Sequence, residues 1–246
     1  GDPALADAAL VPDMHWNDDP QWAGDGKLIT VKCDYRLVID NLMDLTHETY
    51  VHASSIGQKE IDETPCKTTL EGEQVVTSRF MSGIEAPPFW KMALRGNKLA
   101  DDVPVDRWQI CHFTPPSHVM IEVGVAHAGH GGYHAPDNLK AYSVVVDFIT
   151  PENETSIWYF WGMARKFQPQ DAALTASIRE GQGKIFSEDL QMLELQQKNL
   201  LAHPTRELLK LNIDAGGVQS RRVIDRLLAQ ETAHAHPYTN KEAAHG

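Results

Sequence analysis

RWQICHFTPPSHVMIEVGVA, residues 107–126, decides the fold. Two runs rich in β-branched and aromatic residues flank a Pro-Pro-Ser break, the pattern of two strands joined by a turn. AYSVVVDFI (141–149) and SIWYFWGMA (156–164) repeat it downstream. Upstream, TTLEGEQVVTSRFM (68–81) predicts a hairpin turning near Glu71 and Gly72. Serial strands with short breaks predict an antiparallel meander. KLITVKCDYRLVI (27–39) reads as a further strand, and DNLMDLTHETYVHASS (40–55) as a helix. APPFWKMAL (86–94) reads as a short helix or loop. Beyond Asp171 the period lengthens, predicting helices over 173–201 and 218–230. The fold class is therefore α+β, an antiparallel sheet covered by helices. Residues 1–26 read as an irregular lead-in, 27–230 as the folded domain and 231–246 as a polar tail.

Bulk composition excludes several classes. The 246 residues carry 22 Lys+Arg against 34 Asp+Glu, a net charge of −12. That balance argues against nucleic acid or an anionic membrane as a main partner. No apolar run approaches the roughly 18 residues of a membrane span. The opening GDPALADAALVPDMHW lacks the basic start and apolar core of a signal peptide. Cys33, Cys66 and Cys111 are odd in number and widely spaced, so they imply no disulfide framework. A soluble protein of a reducing compartment, the cytoplasm, is expected.

Within 40–55, HETYVH is one residue longer than the H-E-x-x-H of zinc proteases. His47 and His52 stand at i and i+5, which on a regular helix splays them by about 140°. Both can reach one metal only if the helix bulges or ends between them, and VHASS is a plausible ending. Glu48 thereby loses the place of a protease base. Asp40, Asp44 and His47, spaced by four and three, would share a face, and a carboxylate there can accept the free ring N–H of a ligand histidine. The plainer alternative is a helix start with packed histidines. A third ligand should be an acid on a buried face. In KIFSEDLQMLELQQ, Asp189 has Ile185, Phe186, Met192 and Leu193 at helical spacing, whereas Glu188 and Glu194 have polar neighbours. Asp189 is either a ligand or a buried acid capped by a donor. His47, His52 and Asp189 would form a two-histidine, one-carboxylate set, which suits non-haem iron(II) and also zinc.

Asp40-x3-Asp44-x2-His47-x4-His52, with an acid on a late helix, resembles the catalytic domain of Rieske non-haem iron oxygenase α subunits. The resemblance spans about residues 12–230. HAGHGGYHAP, FITPENETSIWYFWGMAR, FSEDLQMLE and NIDAGGVQSRR bring it nearest to the vanillate O-demethylase branch. It implies a helix-grip-like catalytic domain with His47, His52 and Asp189 as iron(II) ligands. Asp44 would bridge towards the Rieske cluster of a neighbouring subunit, and Asn41 matches a nearby polar position. The family's C-x-H and C-x2-H cluster ligands do not occur in this sequence, so the Rieske domain is expected to be absent from it.

The resemblance further implies O-demethylation of a methoxybenzoate. NADH electrons would arrive through a separate reductase and a [2Fe-2S] Rieske cluster, and O2 would oxidise the methoxy carbon. Formaldehyde and a phenol would leave, so that vanillate gives protocatechuate. A homotrimer is implied. Met81, Trp108, Val123, Phe148, Trp158 and Phe160 are candidates to line the pocket, with Phe148 and Phe160 taken as substrate contacts. Arg79 and Arg107 are candidates for the substrate carboxylate. The rival cluster HAGHGGYH, with His127, His130 and His134, reads as a turn without a carboxylate. Three other functions stay open: an aromatic-ligand binding module without catalysis, another Rieske-type aryl mono- or dioxygenase, and a zinc hydrolase.

Overall fold

The computed structural model describes residues 7–235. Its centre is a seven-stranded sheet: β1 (Ala23–Val31), β2 (Lys67–Glu71), β3 (Gln74–Ile84), β4 (Val105–Thr114), β5 (His118–His127), β6 (Lys140–Asn153) and β7 (Ser156–Arg165). The order is β1-β7-β6-β5-β4-β3-β2, antiparallel throughout. The expected meander is therefore β2 to β7. The β2–β3 turn uses Gly72 at φ +65°, a conformation open to glycine at little cost. β1 completes the sheet at its far edge, with Ala23 opposite Arg165 and Val31 opposite Ile157.

Helices cover one face: α1 (Tyr35–Met43), α2 (Glu48–Val51), α3 (Glu60–Glu63), α4 (Pro88–Gly96), α5 (Ala172–Ala202) and α6 (Ala215–Ala235). Strand residues facing them, such as Phe113, Val119, Val145, Ile149, Tyr159 and Trp161, share one core with Leu37, Trp90, Ile178, Ile185 and Val223. The 31-residue α5 starts where Asp171 accepts the Leu174 amide, a side-chain cap on otherwise unpaired helix N–H groups. Its Phe186 ring packs on Tyr159 and Trp161 at 5.4 and 5.1 Å between centroids. The Arg165 guanidinium reaches from β7 to Thr175, Gln168 and Asp171 and ties the strand to the start of α5.

Four boundaries differ from the sequence reading. KLITVKCDYRLVI is a strand followed by a helix: Asp34 caps α1 by accepting the Arg36 amide, and Leu37, Val38 and Ile39 turn into the core. The lead-in boundary at 26/27 falls inside β1. The helix expected over 40–55 breaks after Met43 and resumes as the single turn α2. Asp40 therefore does not share a face with His47. It receives Arg221 of α6 through bonds of 2.9, 2.9 and 2.6 Å. The expected tail begins within α6, which runs to Ala235, and its remainder lies outside the described residues, as do residues 1–6 of the lead-in.

The opposite face of the sheet is only partly covered, with Phe80 and Phe160 about half exposed. HAGHGGYH folds back over it. Tyr133 stacks edge-on against Trp108 and donates its hydroxyl to Glu122 at 2.6 Å. Glu122 also accepts from Tyr142 at 2.8 Å and pairs with His112 at 3.1 Å. Burial pushes the Glu122 carboxyl upward, but these three partners outweigh it and hold the group down at about 2. His127, His130 and His134 join no metal-type cluster among the described residues.

Candidate metal centre

The break in the helix determines how two histidines five apart meet. His47 occupies the position just before α2 and His52 the position just after it, where φ −106° and ψ 27° have left helical geometry. Leaving the helix brings both rings round to one side. The return is tight: the Gly57 amide donates to the His52 carbonyl at 2.8 Å, and a Cβ at Gly57 would lie 2.5 Å from the Glu48 carbonyl oxygen. A side chain there would force the loop away from α2.

His47 Nε2 and His52 Nε2 stand 3.2 Å apart, and Asp189 Oδ1 from α5 lies 3.5 and 3.3 Å from them. Each ring spends its other nitrogen outward. His47 Nδ1 lies 2.7 Å from the Asp44 carbonyl oxygen, and His52 Nδ1 lies 2.8 Å from Glu188 Oε2. Both acceptors demand a proton on Nδ1, so both Nε2 lone pairs face each other and a carboxylate oxygen. Neutral imidazoles so arranged have no donor to share, and a cation resolves the conflict. Donor separations of 3.2–3.5 Å are what three ligands at about 2.0–2.2 Å from one ion subtend. The donor set and the outward hydrogen bonds thus fit a divalent metal.

Burial lowers the proton affinity of both rings. For His47 the Asp44 carboxylate and then Asp189 and Glu48 outweigh it, so its pKa is raised. For His52 Asp189 and then Glu188 do the same. A negative field that favours a proton there also favours a metal ion. Asn41 Nδ2 donates to Asp189 Oδ1 at 3.0 Å and lies 3.4 Å from His47 Nε2, which places the amide at the edge of the triad.

Two polar partners depart from the sequence reading. Asp44 serves His47 through its main-chain carbonyl. Its carboxylate lies 3.8 Å from Nδ1 and accepts instead from the Thr46 amide and hydroxyl, both at 2.7 Å. Burial raises the Asp44 carboxyl, and the His47 and Thr46 contacts bring it below its ordinary value. Glu188, set aside as solvent-facing, holds His52 and accepts from Ser54 and Ser55 at 3.1 and 3.0 Å. The Glu-Asp pair in FSEDL was the only available signal, because adjacent helix positions point about 100° apart and can serve ring and metal separately.

The triad opens into a largely apolar cavity lined by Leu42, Ile56, Trp90, Val123, Val145 and Phe186. Of the expected lining residues, Val123 is there. Phe148 and Phe160 are not: they lie opposite one another on the far face of the sheet, beside Trp16 and Trp22 of the lead-in, because period-2 alternation turns them away when Val145 and Tyr159 turn in. Trp108 packs with Tyr133 on that far face, and Trp158 and Met81 likewise lie outside the cavity lining. Arg79 is also outside it, donating to the Leu45 and Thr64 carbonyls. Arg107 does line the cavity, but it is committed to Glu48 at 3.1 Å, Gln58 at 2.7 Å and the Ile56 carbonyl at 2.9 Å. Gln109 donates to the same Glu48 carboxylate.

Comparison with known proteins gives a consistent set of relatives. The family model for the vanillate O-demethylase oxygenase C-terminal domain matches residues 31–230. Two vanillate O-demethylase oxygenase subunits from Pseudomonas strains are each 72% identical, over 95% and 94% of this chain and 71% and 65% of their own lengths. The dicamba O-demethylase oxygenase component of Stenotrophomonas maltophilia is 29% identical over 95% of this chain and 67% of its own. The crystal structure of dicamba monooxygenase bound to 3,6-dichlorosalicylic acid superimposes with a TM-score of 0.84 at 29% identity, covering 95% of this chain and 67% of that one. Another, with non-haem iron and dicamba, superimposes at 0.73 with 26% identity, covering 95% of this chain and 65% of that one. The chain spans about two thirds of the length of these relatives.

Proposed function

The chain belongs to the vanillate O-demethylase oxygenase C-terminal domain family, and on that premise we propose that it is the catalytic domain of a Rieske-type monooxygenase. The reaction is O-demethylation of a methoxybenzoate such as vanillate, with O2, to protocatechuate and formaldehyde. The carrying observation is the convergence of His47 Nε2, His52 Nε2 and Asp189 Oδ1 within 3.2–3.5 Å of one another at an apolar cavity. These three residues would hold iron(II), which when bound supplies O2 activation and oxidation of the methyl carbon.

The chain's own part is positioning. Glu188 and the Asp44 carbonyl fix the tautomers of His52 and His47, and Asn41 orients Asp189. Trp90, Phe186 and Val145 line the cavity and would flank an aromatic ring there and keep water from the reacting methyl group. The Asp44 carboxylate, beside His47, also lines a second cleft with Arg221 and Leu209, and on this reading that cleft would receive the electron-donating side of a neighbour. We assign electron supply to NADH, a separate reductase and a [2Fe-2S] Rieske cluster, in a homotrimer in the cytoplasm. The described residues contain no helix long and apolar enough to cross a membrane, and their three cysteines are free. The catalytic domain would run from the start of β1 to about residue 230, preceded by the lead-in.

A hydrolase is disfavoured because Glu48, the base such a site would need, is locked into Arg107 and Gln109. A binding module without metal is disfavoured by the facing lone pairs of the two histidines. Elemental analysis of anaerobically purified oxygenase, with and without Asp189→Ala, tests the assignment. About one iron per chain, lost in the variant, is expected together with formaldehyde release from vanillate. Full iron in the variant overturns the ligand set, and zinc with hydrolytic activity overturns the reaction class.

A further inference from the structure

Gln182 stands in the buried stripe of α5 with Ile185, Phe186 and Asp189, three, four and seven residues further on, and all four line the cavity that holds the triad. It is 7% exposed, and its side-chain amide makes no hydrogen bond among the described residues. Neither amide atom is among the unpaired polar atoms sealed from access, so the amide keeps a face open at the cavity wall. Resting on the O-demethylase reading above, we propose that the Gln182 amide binds the substrate carboxylate and so selects methoxybenzoates over uncharged methoxyarenes.

The other amide, guanidinium and carboxylate side chains of the wall are engaged within the protein. Asn41 donates to Asp189, the Asp44 carboxylate accepts from Thr46, and Arg107 and Gln109 both donate to Glu48. Neither arginine considered for a substrate carboxylate is free to take it. Arg79 lies outside the cavity lining, and Arg107 is held by Glu48, Gln58 and the Ile56 carbonyl. An amide enclosed without a partner is unfavourable, and an acceptor on the ligand removes that cost.

Position decides which substituent reaches it. Seven helical residues rise about 10 Å and return to nearly the same direction, so Gln182 stands two turns along the wall from Asp189. The methoxy carbon must lie at the triad end to be oxidised. In 4-hydroxy-3-methoxybenzoate the hydroxyl is ortho to the methoxy group and stays beside it, whereas the carboxylate is meta and reaches farther along the wall. The carboxylate therefore meets the amide, whose N–H donates to a group that only accepts. Its charge also has a counterpart, because two neutral imidazoles and one carboxylate around a divalent ion leave one net positive charge at the triad end.

The test is calorimetric titration of the full oxygenase, anaerobic and without reductase so that no turnover occurs. The ligands are 4-hydroxy-3-methoxybenzoate and 2-methoxyphenol, which lacks only the carboxylate. The unaltered protein is expected to bind the acid about 10- to 100-fold more tightly, the value of one hydrogen bond to a charged group. Gln182→Met keeps the length and helix preference of the side chain and removes both polar atoms. It should lose that factor on the acid and leave 2-methoxyphenol nearly unchanged. Gln182→Asn, which keeps the amide but shortens its reach, is the second variant and should weaken the acid alone. Equal affinities in the unaltered protein overturn the inference whether or not the variants fold. So does an acid preference that survives Gln182→Met, or a loss there that falls equally on both ligands. Binding of neither ligand overturns the aromatic-site reading itself.

Discussion

Glu48→Ala should unfold this protein at markedly lower denaturant, although Glu48 is no ligand. Glu48 and Arg107 form an ion pair at 3.1 Å with side chains 4% and 1% exposed. Removing one member of such a pair strands the other charge in the interior, at a cost of about 3–5 kcal/mol. Arg107 would keep only the neutral acceptors Ile56 O and Gln58 Oε1, which cannot offset a buried charge. For a chain of this size the loss corresponds to roughly 10 °C in Tm. Urea unfolding with a matched m value reads the change directly. Glu48→Leu with Arg107→Met removes both charges and should recover a large part of the loss, short of parity because the Ile56 carbonyl loses its donor. A single variant within about 1 kcal/mol of the parent would refute the reasoning, as would a double variant less stable than either single one.

Two further outcomes are expected. Glu188→Gln keeps the size of the His52 partner and removes its charge. Iron affinity, measured by competition with a chelator, should fall about 10- to 100-fold while Tm of the metal-free protein stays close to the parent. Glu122 is held at about 2 in the fold against an ordinary 4.5, so its contribution to stability is present above pH 4.5 and is lost as pH falls towards 2. The gap in Tm between the parent and Glu122→Gln should therefore narrow over that window in an acid titration of melting temperature.

The sheet was legible because its strands are local neighbours: each hydrophobic run pairs with the next, and short breaks leave no other arrangement. The three residues of the triad were legible because Asp189 is an acid in the apolar stripe of α5 and the pattern around His47 and His52 resembles a known family; residue types alone left packed histidines and a capped acid open. What stayed hidden depends on which surfaces meet. Alternation puts Phe148 and Val145 on opposite faces, but only the docking of α5 decides which face is inside. Glu188 looked solvated beside Lys184 and Gln191, yet Ser54 and Ser55, far away in sequence, close over it. Asp40 looked like a partner of His47 because the helix was extended past Met43. The start of α1, by contrast, does carry a signal in the sequence, the capping Asp34 before YRLVI.

The first strand of the sheet pairs with the last, Ala23 with Arg165 and Val31 with Ile157. Contacts so distant along the chain close the longest loops and form slowly. During synthesis β2 to β6 can zip in turn as they emerge, whereas β1 must wait for β7 to leave the ribosome. Asp189 is made later still, long after the two histidines it joins. A nascent chain therefore carries the histidine pair without its carboxylate until α5 has emerged, and the three donors come together only once the last strand and α5 are down. Completion of the triad waits on the docking of α5.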